Sequence, residues 1–331
     1  RRAKYSAACR RQTGGSMSAL IGHEALETAL DWPDLIGQLR DWYRGKAVQA
    51  PDRQVLTIKQ PDGTEASLLI MPAWVPGESI GVKVVTFFPE NAAKGRPTIN
   101  AGYLLFDGET GQMQAALDGD TLTARRTAAA SALAADLLAR KDARDLLIVG
   151  TGQLSLAVAA AHCAVRGYTS VSIWGRSGEK AAAIASALAE QGLPARAVDD
   201  LETACRAADV ISTVTASTRP IIQGDWLKPG SHLDLIGAFK GDMRESDDQA
   251  IAQAQVFVDL RAGAMLAGDL SQPLDAGRIE PRHIRADLAE LCQQRHPGRS
   301  AAAARTVFKS AGMALQDLAA ADLAACQAMS G

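Results

Sequence analysis

The chain has 331 residues, of which 47% are hydrophobic and 22% are charged, and its formal net charge is −2. This length allows two domains or one large one, and the near-neutral charge gives no electrostatic reason to bind nucleic acid or a membrane surface. No apolar run approaches the roughly 18 to 20 residues that a membrane-spanning helix needs, so we expect neither partner.

Residues 1–16 are rich in arginine and lysine and contain no acidic residue. Such a segment is compatible with a transit peptide, but it lacks a clear amphipathic helix and ends in Gly-Gly-Ser. We therefore expect a disordered extension ahead of a natural start near Met17.

The next part of the chain alternates strand-like runs with turn signals. A helix is predicted at about 23–45, and the runs "QVLTIKQ" and "ASLLIMPAWV" then flank a Pro-Asp-Gly turn at 61–63. The runs "SIGVKVVTFFPEN", "INAGYLLFD" and "QMQAALDG" follow. This pattern predicts an antiparallel sheet preceded by a helix.

The pattern changes at Leu122. A long Ala- and Leu-rich helix comes first, and apolar strands then alternate with helices from Asp145 onwards. This alternation predicts a parallel sheet covered on both faces. The fold class is therefore α/β, and residues 301–327 are predicted to run from an extended segment into a final helix.

The segment "LLIVGTGQLS" at 146–155 joins a predicted strand to a predicted helix through a glycine-rich turn. In a Rossmann domain the first glycine allows the tight turn, and the second lets the backbone approach a pyrophosphate at the helix N-terminus. Ser155 stands in the third position of the fingerprint and is small enough for close packing. The predicted cofactor-binding residues here are Gly150, Thr151, Gly152, Gln153 and Leu154.

The second strand of the Rossmann pattern ends in "SIWGRS", without the acidic residue typical of NAD-selective sites. Arg176, Ser177 and Lys180 instead offer charge and hydrogen-bond donors to a 2′-phosphate, so we expect NADPH to be preferred, with NADH possible. The alternative is that Arg176 stacks on adenine or is a solvated loop residue. The segment "STVTAST" is predicted to line the nicotinamide side through Thr213, Val214, Thr215 and Ser217, although hydroxyls there are equally common as caps.

The five cysteines form no C-x-x-C pair, and the five histidines show no metal-binding spacing. An odd number of unpaired cysteines favours a reducing cytoplasm over a disulfide framework. We therefore predict a cytoplasmic protein without a metal site.

Three long segments resemble signature segments of the ornithine cyclodeaminase/mu-crystallin family. They are "GVKVVTFFPENAAKGRPTINAGYLLFDGETG", "LDGDTLTARRTAAASALAADLLA" and "TVFKSAGMALQDLAA". Within the family they are most similar to the bacterial reductases of cyclic ketimine carboxylates. The resemblance implies a Rossmann-type domain at 128–304, a discontinuous substrate-binding and dimerisation domain of α+β type at 17–127 and 305–331, and a homodimer.

The resemblance also implies three cations that bind the substrate carboxylate, namely Arg53, Lys83 and Arg125. Read alone, each would more often be a surface charge. Lys83 departs from that expectation, because it lies within the apolar run "IGVKVVTFF" and needs a partner there. Whether Lys83 acts as a catalytic donor near the imine nitrogen or only fixes the carboxylate stays open.

The expected function is NAD(P)H-dependent reduction of Δ1-pyrroline-2-carboxylate or Δ1-piperideine-2-carboxylate to L-proline or L-pipecolate. Ornithine cyclodeaminases of this family carry an Asp after the strand that corresponds to "HLDLIG", and Phe239 occupies that position here. An apolar aromatic suits a cyclic imine better than the free amine of ornithine. The alternatives are an ornithine cyclodeaminase, an alanine-dehydrogenase-like oxidoreductase, and a cofactor-dependent small-ligand binding protein.

Overall fold

The computed structural model describes residues 19–330, so the expectation for residues 1–16 lies outside the described residues. The chain divides into two compact units. The antiparallel unit contains residues 19–38, 45–126 and 314–330, and the parallel unit contains residues 39–44 and 127–313.

The antiparallel unit is built on a six-stranded sheet with the order β1-β6-β5-β4-β3-β2. Neighbouring strands run antiparallel except β1, which pairs in parallel with β6. The predicted hairpin at 61–63 joins β2 to β3. The strands are β1 (Ala19–Ile21), β2 (Gln54–Lys59), β3 (Glu65–Val75), β4 (Ser79–Phe87), β5 (Ile99–Asp107) and β6 (Met113–Asp118).

The helix predicted at 23–45 is two helices, α1 (His23–Ala29) and α2 (Trp32–Gly45). Pro33 explains the break, because proline has no amide hydrogen for the bond back to Ala29 but fits the first turn of a new helix. A short 3-10 helix at Pro89–Lys94 lies between β4 and β5. Helix α3 (Gly119–Leu138) follows β6.

The parallel unit contains an eight-stranded sheet in which every neighbouring pair is parallel, with the order β13-β12-β14-β11-β10-β7-β8-β9. This confirms the predicted Rossmann-type α/β architecture. Its strands are β7 (Asp145–Val149), β8 (Ser170–Trp174), β9 (Ala195–Ala197), β10 (Val210–Thr213), β11 (His232–Leu235), β12 (Gln255–Val258), β13 (Ile284–Asp287) and β14 (Thr306–Lys309). Its helices are α4 (Gln153–Val165), α5 (Gly178–Glu190), α6 (Leu201–Ala207), α7 (Asp248–Ala252), α8 (Arg261–Ala264), α9 (Gly268–Asp275) and α10 (Leu288–Cys292), with 3-10 helices at Gly224–Trp226 and Pro281–His283.

Strand β14 corrects the sequence-based boundary at residue 305. It pairs with β11 and β12 in the middle of the parallel sheet, and the chain returns to the antiparallel unit only at Ala314. All four residues of β14 are buried. A strand that is paired on both edges and buried on both faces belongs to the unit that contains its sheet, not to the unit of the helix that follows it in sequence.

Helix α11 (Ala314–Ser330) completes the antiparallel unit by packing across strands β1 and β3–β6. The sheet face beneath it carries Lys83, Tyr103 and Leu105, all of which are buried. Gly81 on this face is closely covered, since an added Cβ would lie 2.8 Å from a methyl group of Leu318. The helix therefore seals the side of the sheet that holds the predicted catalytic lysine.

The opposite face of this sheet, which we call the open face, is apolar and partly exposed. Cross-strand pairing aligns its side chains in rows across β3, β4 and β5. Its members are Leu68, Ile70, Pro72, Trp74, Ile80, Val82, Val84, Leu104 and Phe106. Leu20 on β1, next to Ala116 of β6, is 86% exposed and extends the same face.

Candidate functional site

Lys83 lies in the middle of β4 on the face covered by α11, where only 5% of the residue is exposed. Its Nζ donates a hydrogen bond to Oδ1 of Asp317 at 3.0 Å. A buried ammonium requires such a counter-charge, because the cost of removing it from water is otherwise several kcal/mol. Lys83 therefore has the partner that its burial requires, and that partner is Asp317 of the same chain.

Asp317 lies in the first turn of α11 and is 2% exposed. The same Oδ1 accepts a second hydrogen bond from Nε of Arg126 in α3, also at 3.0 Å. Nη1 of Arg126 donates to the side-chain oxygen of Gln316 at 2.8 Å. A strand and two helices of the antiparallel unit thus bring together Lys83, Arg126 and Asp317, which we call the cation cluster.

The cluster has hydrogen-bond donors left over. A lysine ammonium has three N–H groups, and the one bond from Lys83 to a described residue is the bond to Asp317. Nη2 of Arg126 has no hydrogen-bond partner within residues 19–330. Two cations against one carboxylate leave the cluster with a positive charge and unused donors, which is the requirement for binding a carboxylate.

Burial and charge act in opposite directions on these groups. Burial lowers the pKa of Lys83, and Asp317 opposes this by raising it. Burial favours a higher pKa for Asp317, but Arg126 and Lys83 outweigh that effect and hold the pKa below its usual value. Asp317 is therefore ionised and acts as the common counter-ion of both cations.

Arg125, the arginine predicted from the resemblance, has other partners. Its Nη1 donates to Glu27 at 2.8 Å, its Nη2 donates to the carbonyl oxygen of Leu30, and its guanidinium lies 3.6 Å from the ring centre of Trp32. These contacts hold the segment that joins α1 to α2. Adjacent residues on a helix point in directions about 100° apart, so only one of the two arginines can face Lys83, and it is Arg126.

Arg53 is exposed and precedes the edge strand β2. No hydrogen bond or ion pair within residues 19–330 joins it to the cation cluster. Its assignment as a carboxylate-binding residue stays a prediction.

The glycine-rich turn of the parallel unit has the geometry of a dinucleotide loop. Gly150 follows β7 with φ of 132°, and an added Cβ would lie 2.8 Å from Cγ2 of Val214. Gly152 precedes α4 without a side-chain cap, and a Cβ there would meet no atom within 4 Å. The amides at the start of α4 are therefore open to an anionic ligand. The hydroxyl of Ser155 donates to the carbonyl of Gly150 at 2.9 Å, which explains a serine at the third position.

Not every residue predicted around this loop is free to bind a cofactor. Thr151 packs against Gly175, where a Cβ would lie 2.4 Å from its methyl group. Ser177 is the N-cap of α5, and its hydroxyl accepts from the amide of Lys180 at 3.3 Å. The side chains of Arg176 and Lys180 are exposed and have no hydrogen-bond partner among the described residues.

The hydroxyls of "STVTAST" are engaged within the parallel unit. Thr213 is buried and donates to the carbonyl of Asp234 at 3.4 Å, and Ser217 donates to the carbonyl of Arg219 at 2.7 Å. Thr215 donates through its amide and its hydroxyl to Oε1 of Glu245, at 2.7 and 2.9 Å. These side chains shape the loop after β10, and the assignment of Thr213, Val214, Thr215 and Ser217 to the nicotinamide side stays a prediction.

Glu245 is a buried residue that the sequence did not single out. Its second oxygen accepts from the amides of Gly237 and Ala238, at 2.8 and 3.3 Å, so one carboxylate joins the loops that follow β10 and β11. An acidic residue in the polar run "GDMRESDD" gives no signal of burial, because three of the four groups that donate to its carboxylate are backbone amides. Phe239, the next residue in the second loop, is 44% exposed.

Two kinds of feature were sought among residues 19–330. No group of three His, Cys, Asp or Glu side chains in this range is arranged to hold a metal ion. None of its helices combines the length and apolarity that crossing a membrane would require.

Comparison with known proteins places these features in context. A model of the ornithine cyclodeaminase/mu-crystallin family matches residues 20–330. The chain is 38% identical over 291 residues to a Delta(1)-pyrroline-2-carboxylate reductase of Paracoccus denitrificans, covering 87% of this chain and 90% of the relative. Two solved structures are similar throughout. The Delta(1)-pyrroline-2-carboxylate reductase of Thermococcus litoralis with NADH and L-proline has a TM-score of 0.87 and 29% identity, covering 94% of this chain and 98% of the other. An archaeal alanine dehydrogenase dimer with bound NAD has a TM-score of 0.86 and 28% identity, covering 95% and 96%.

Proposed function

Because the chain belongs to the ornithine cyclodeaminase/mu-crystallin family, we propose that it is an NAD(P)H-dependent oxidoreductase that reduces the C=N bond of a cyclic ketimine carboxylate. The substrate is Δ1-pyrroline-2-carboxylate or Δ1-piperideine-2-carboxylate, and the product is L-proline or L-pipecolate. The observation that carries this proposal is the cation cluster, in which Lys83 and Arg126 share one buried carboxylate and keep unused donors.

The two cations bind the substrate through its carboxylate. Arg126 offers Nη2, and Lys83 offers the N–H groups that do not reach Asp317. Charge-assisted hydrogen bonds of this kind are about twice as strong as neutral ones, and a monoanion offsets the positive charge of the cluster. In a ketimine carboxylate the imine carbon is bonded directly to the carboxylate, so fixing one positions the other.

The reaction consumes one imine, one proton and one reduced cofactor for each amino acid formed. Bound NAD(P)H supplies a hydride to the imine carbon, and protonation of the imine nitrogen makes that carbon more electrophilic. The contribution of Lys83 and Arg126 is orientation and electrostatic stabilisation around the carboxylate.

The dinucleotide is held by the parallel unit. Gly152 leaves the start of α4 open for the pyrophosphate, and Gly150 shapes the turn that precedes it. We propose a preference for NADPH, since the exposed side chains of Arg176 and Lys180 follow the second strand, where a 2′-phosphate is recognised.

The competing activity within the family is cyclodeamination of ornithine. Phe239 occupies the position at which the sequence comparison expects the acidic residue of a cyclodeaminase, and its ring is partly exposed beyond the carboxyl end of β11. Asp242, three residues further on, is exposed and makes no hydrogen bond or ion pair within residues 19–330. An aromatic side chain favours a cyclic imine over a free amine.

We further propose a homodimer in which two copies cover each other's open face. This surface is a continuous set of apolar side chains on one sheet, which is the kind of surface that a symmetric partner hides. The archaeal alanine dehydrogenase of similar structure is a dimer. A cytoplasmic location is proposed from the sequence, since its cysteines are odd in number and form no C-x-x-C pair.

The proposed activity is tested by following the loss of NADPH or NADH absorbance with a panel of substrates. We expect rapid oxidation of NADPH with at least one of the two cyclic ketimine carboxylates, and little with ornithine or with pyruvate plus ammonia. Faster turnover of pyruvate plus ammonia would instead assign an alanine dehydrogenase. Release of ammonia from ornithine would assign a cyclodeaminase, and cofactor binding without any turnover would favour a binding protein.

A further inference from the structure

Asp317 is the residue on which the geometry of the cation cluster depends. A single oxygen of its carboxylate accepts from Nζ of Lys83 and from Nε of Arg126, each at 3.0 Å. The two cationic nitrogens can therefore be no more than twice that distance apart. Like charges at this separation repel each other, and an anion between them offsets the repulsion by attracting both.

We propose that Asp317 is a positioning residue for the reductase reaction, which holds Lys83 and Arg126 in one arrangement and keeps Lys83 charged as a fixed cation for the substrate carboxylate. This inference rests on the proposed function and adds a residue and a protonation state to it. It also addresses whether Lys83 is a donor or a clamp, since an ammonium that Asp317 keeps protonated while substrate binds acts as a clamp.

The burial of Asp317 supports this role over that of a helix-terminal charge. An acidic residue in the first turn of a helix commonly faces water, where it interacts weakly with the helix dipole. Asp317 is 2% exposed and its side chain is directed at two cations from other elements. Both ion pairs connect residues about 190 or more positions apart in sequence, so they fix α11 against β4 and α3.

Several charged and titratable groups surround Lys83, and among them Asp317 has the largest effect on the pKa of Lys83. From α11 it is faced by Asp317, from α3 by Arg126 and Asp120, and from β5 by its cross-strand neighbour Tyr103. Burial and Arg126 lower the pKa of Lys83, whereas Asp317 and Asp120 raise it. Burial also raises the pKa of Tyr103 well above its usual value, so this phenol stays neutral.

The sign of the pH effect follows from these neighbours. Loss of the Asp317 charge removes the stronger of the two influences that keep Lys83 protonated, so the pKa of Lys83 falls. If the ammonium binds the substrate, kcat/KM declines as the pH rises through the pKa of Lys83. That alkaline decline must then begin at a lower pH in a variant without the carboxylate.

The test is the pH profile of kcat/KM for the preferred ketimine carboxylate in wild type and in Asp317→Asn, which keeps the size and one oxygen of the side chain. We expect the alkaline decline to move down by about one pH unit or more, and KM at pH 7 to rise about tenfold or more. NADPH binding, followed by its fluorescence, should be unchanged. Asp322→Asn is the matched control, because it removes the same charge from the same helix at a residue bonded to Gln38. It should leave the profile in place.

Lys83→Arg provides the second variant, on its own and combined with Asp317→Asn. Arginine stays protonated throughout the accessible range, so the alkaline decline should disappear while measurable turnover remains. If Asp317→Asn does not fold, the test depends on Lys83→Arg alone. Complete inactivity of the Lys83→Arg variant at every pH would overturn the role of Lys83 as a fixed cation. An unchanged profile in a folded Asp317→Asn variant would overturn the positioning role alone, whereas absence of ketimine reduction by wild type would overturn the proposed function as well.

Discussion

The neighbouring arginines of α3 show how one position along a helix separates two roles. Arg126 shares Asp317 with Lys83, whereas Arg125 is bonded to Glu27 and to the carbonyl of Leu30. Both side chains are buried, and both have the same chemistry. What distinguishes them is the direction in which the helix turns each one.

The first prediction uses these two arginines as a matched pair. Arg126→Met should raise KM for the ketimine carboxylate about tenfold or more, because a charge-assisted hydrogen bond contributes about 1.5 to 3 kcal/mol. The effect should fall mainly on KM, since substrate and transition state share the contact. Arg125→Met should lower the melting temperature but leave KM within about twofold of wild type. Steady-state kinetics with both variants would reject our assignment if Arg125→Met carried the larger change in KM.

The second prediction concerns cofactor choice and Arg176. Arg176→Asp should weaken NADPH binding more than NADH binding, by about 1 to 3 kcal/mol, because a contact to the 2′-phosphate is replaced by repulsion. Arg196→Asp is the control, since this arginine is also exposed and lies on β9 of the same unit. Fluorescence titration with both cofactors measures the difference. An equal loss for NADPH and NADH would mean that Arg176 only stacks or packs.

At the scale of elements, local patterns in the sequence were sufficient to predict most strands and helices. The apolar alternation of β3 to β5 and the strand–turn–helix at Gly150 are local signals, and both predictions are confirmed. The sequence-based predictions were wrong where the contact that determines the structure joins residues far apart in sequence. Strand β14 was assigned to the wrong domain because its pairing with β11 joins residues more than 70 positions apart.

The candidate site was predictable only in part for the same reason. An isolated lysine in an apolar run identified Lys83, but the sequence did not indicate its partner, since Asp317 lies 234 residues further along. Glu245 was missed because its four hydrogen bonds come mainly from backbone amides, which leave no trace in residue type. The sequence could not decide which of Arg125 and Arg126 lies near Lys83, because that depends on which face of α3 each residue occupies.

The third prediction tests the glycine-rich turn with two alanine substitutions. Gly150→Ala should destabilise the fold by about 1 to 3 kcal/mol, because its φ of 132° is unfavourable for alanine and the added Cβ meets Val214. Gly152→Ala meets no atom within 4 Å and should keep the wild-type melting temperature. Its affinity for NAD(P)H should nevertheless fall about tenfold, because the Cβ blocks the approach of the pyrophosphate.

Thermal melting and cofactor titration separate the two glycine variants. We expect a stability defect for Gly150→Ala and a binding defect with normal stability for Gly152→Ala. Normal NAD(P)H affinity in Gly152→Ala would mean that the pyrophosphate does not approach this turn.

At the scale of the whole molecule, the open face is an apolar surface that is partly exposed among residues 19–330. The fourth prediction is that wild type is a dimer by light scattering at micromolar concentration, and that Val82→Lys shifts it towards monomer. A charge in the centre of an apolar interface costs several kcal/mol if it is left unpaired. Leu266→Lys is the control, because Leu266 is 68% exposed in the parallel unit and lies outside the open face. A monomeric mass for wild type would reject the dimer, and an undisturbed dimer in Val82→Lys would place the interface elsewhere.

The central claim is that a hydride passes from the cofactor to the imine carbon of a cyclic ketimine carboxylate held by Lys83 and Arg126. The most direct measurement is mass spectrometry of the product after turnover with NADPH carrying two deuterium atoms at C4 of the nicotinamide. We expect one deuterium on the α-carbon of L-proline or L-pipecolate for each NADPH consumed, and a rate at least about tenfold lower in Lys83→Met with unchanged NADPH binding. Oxidation of NADPH without label at the α-carbon, or a wild-type rate in Lys83→Met, would contradict it.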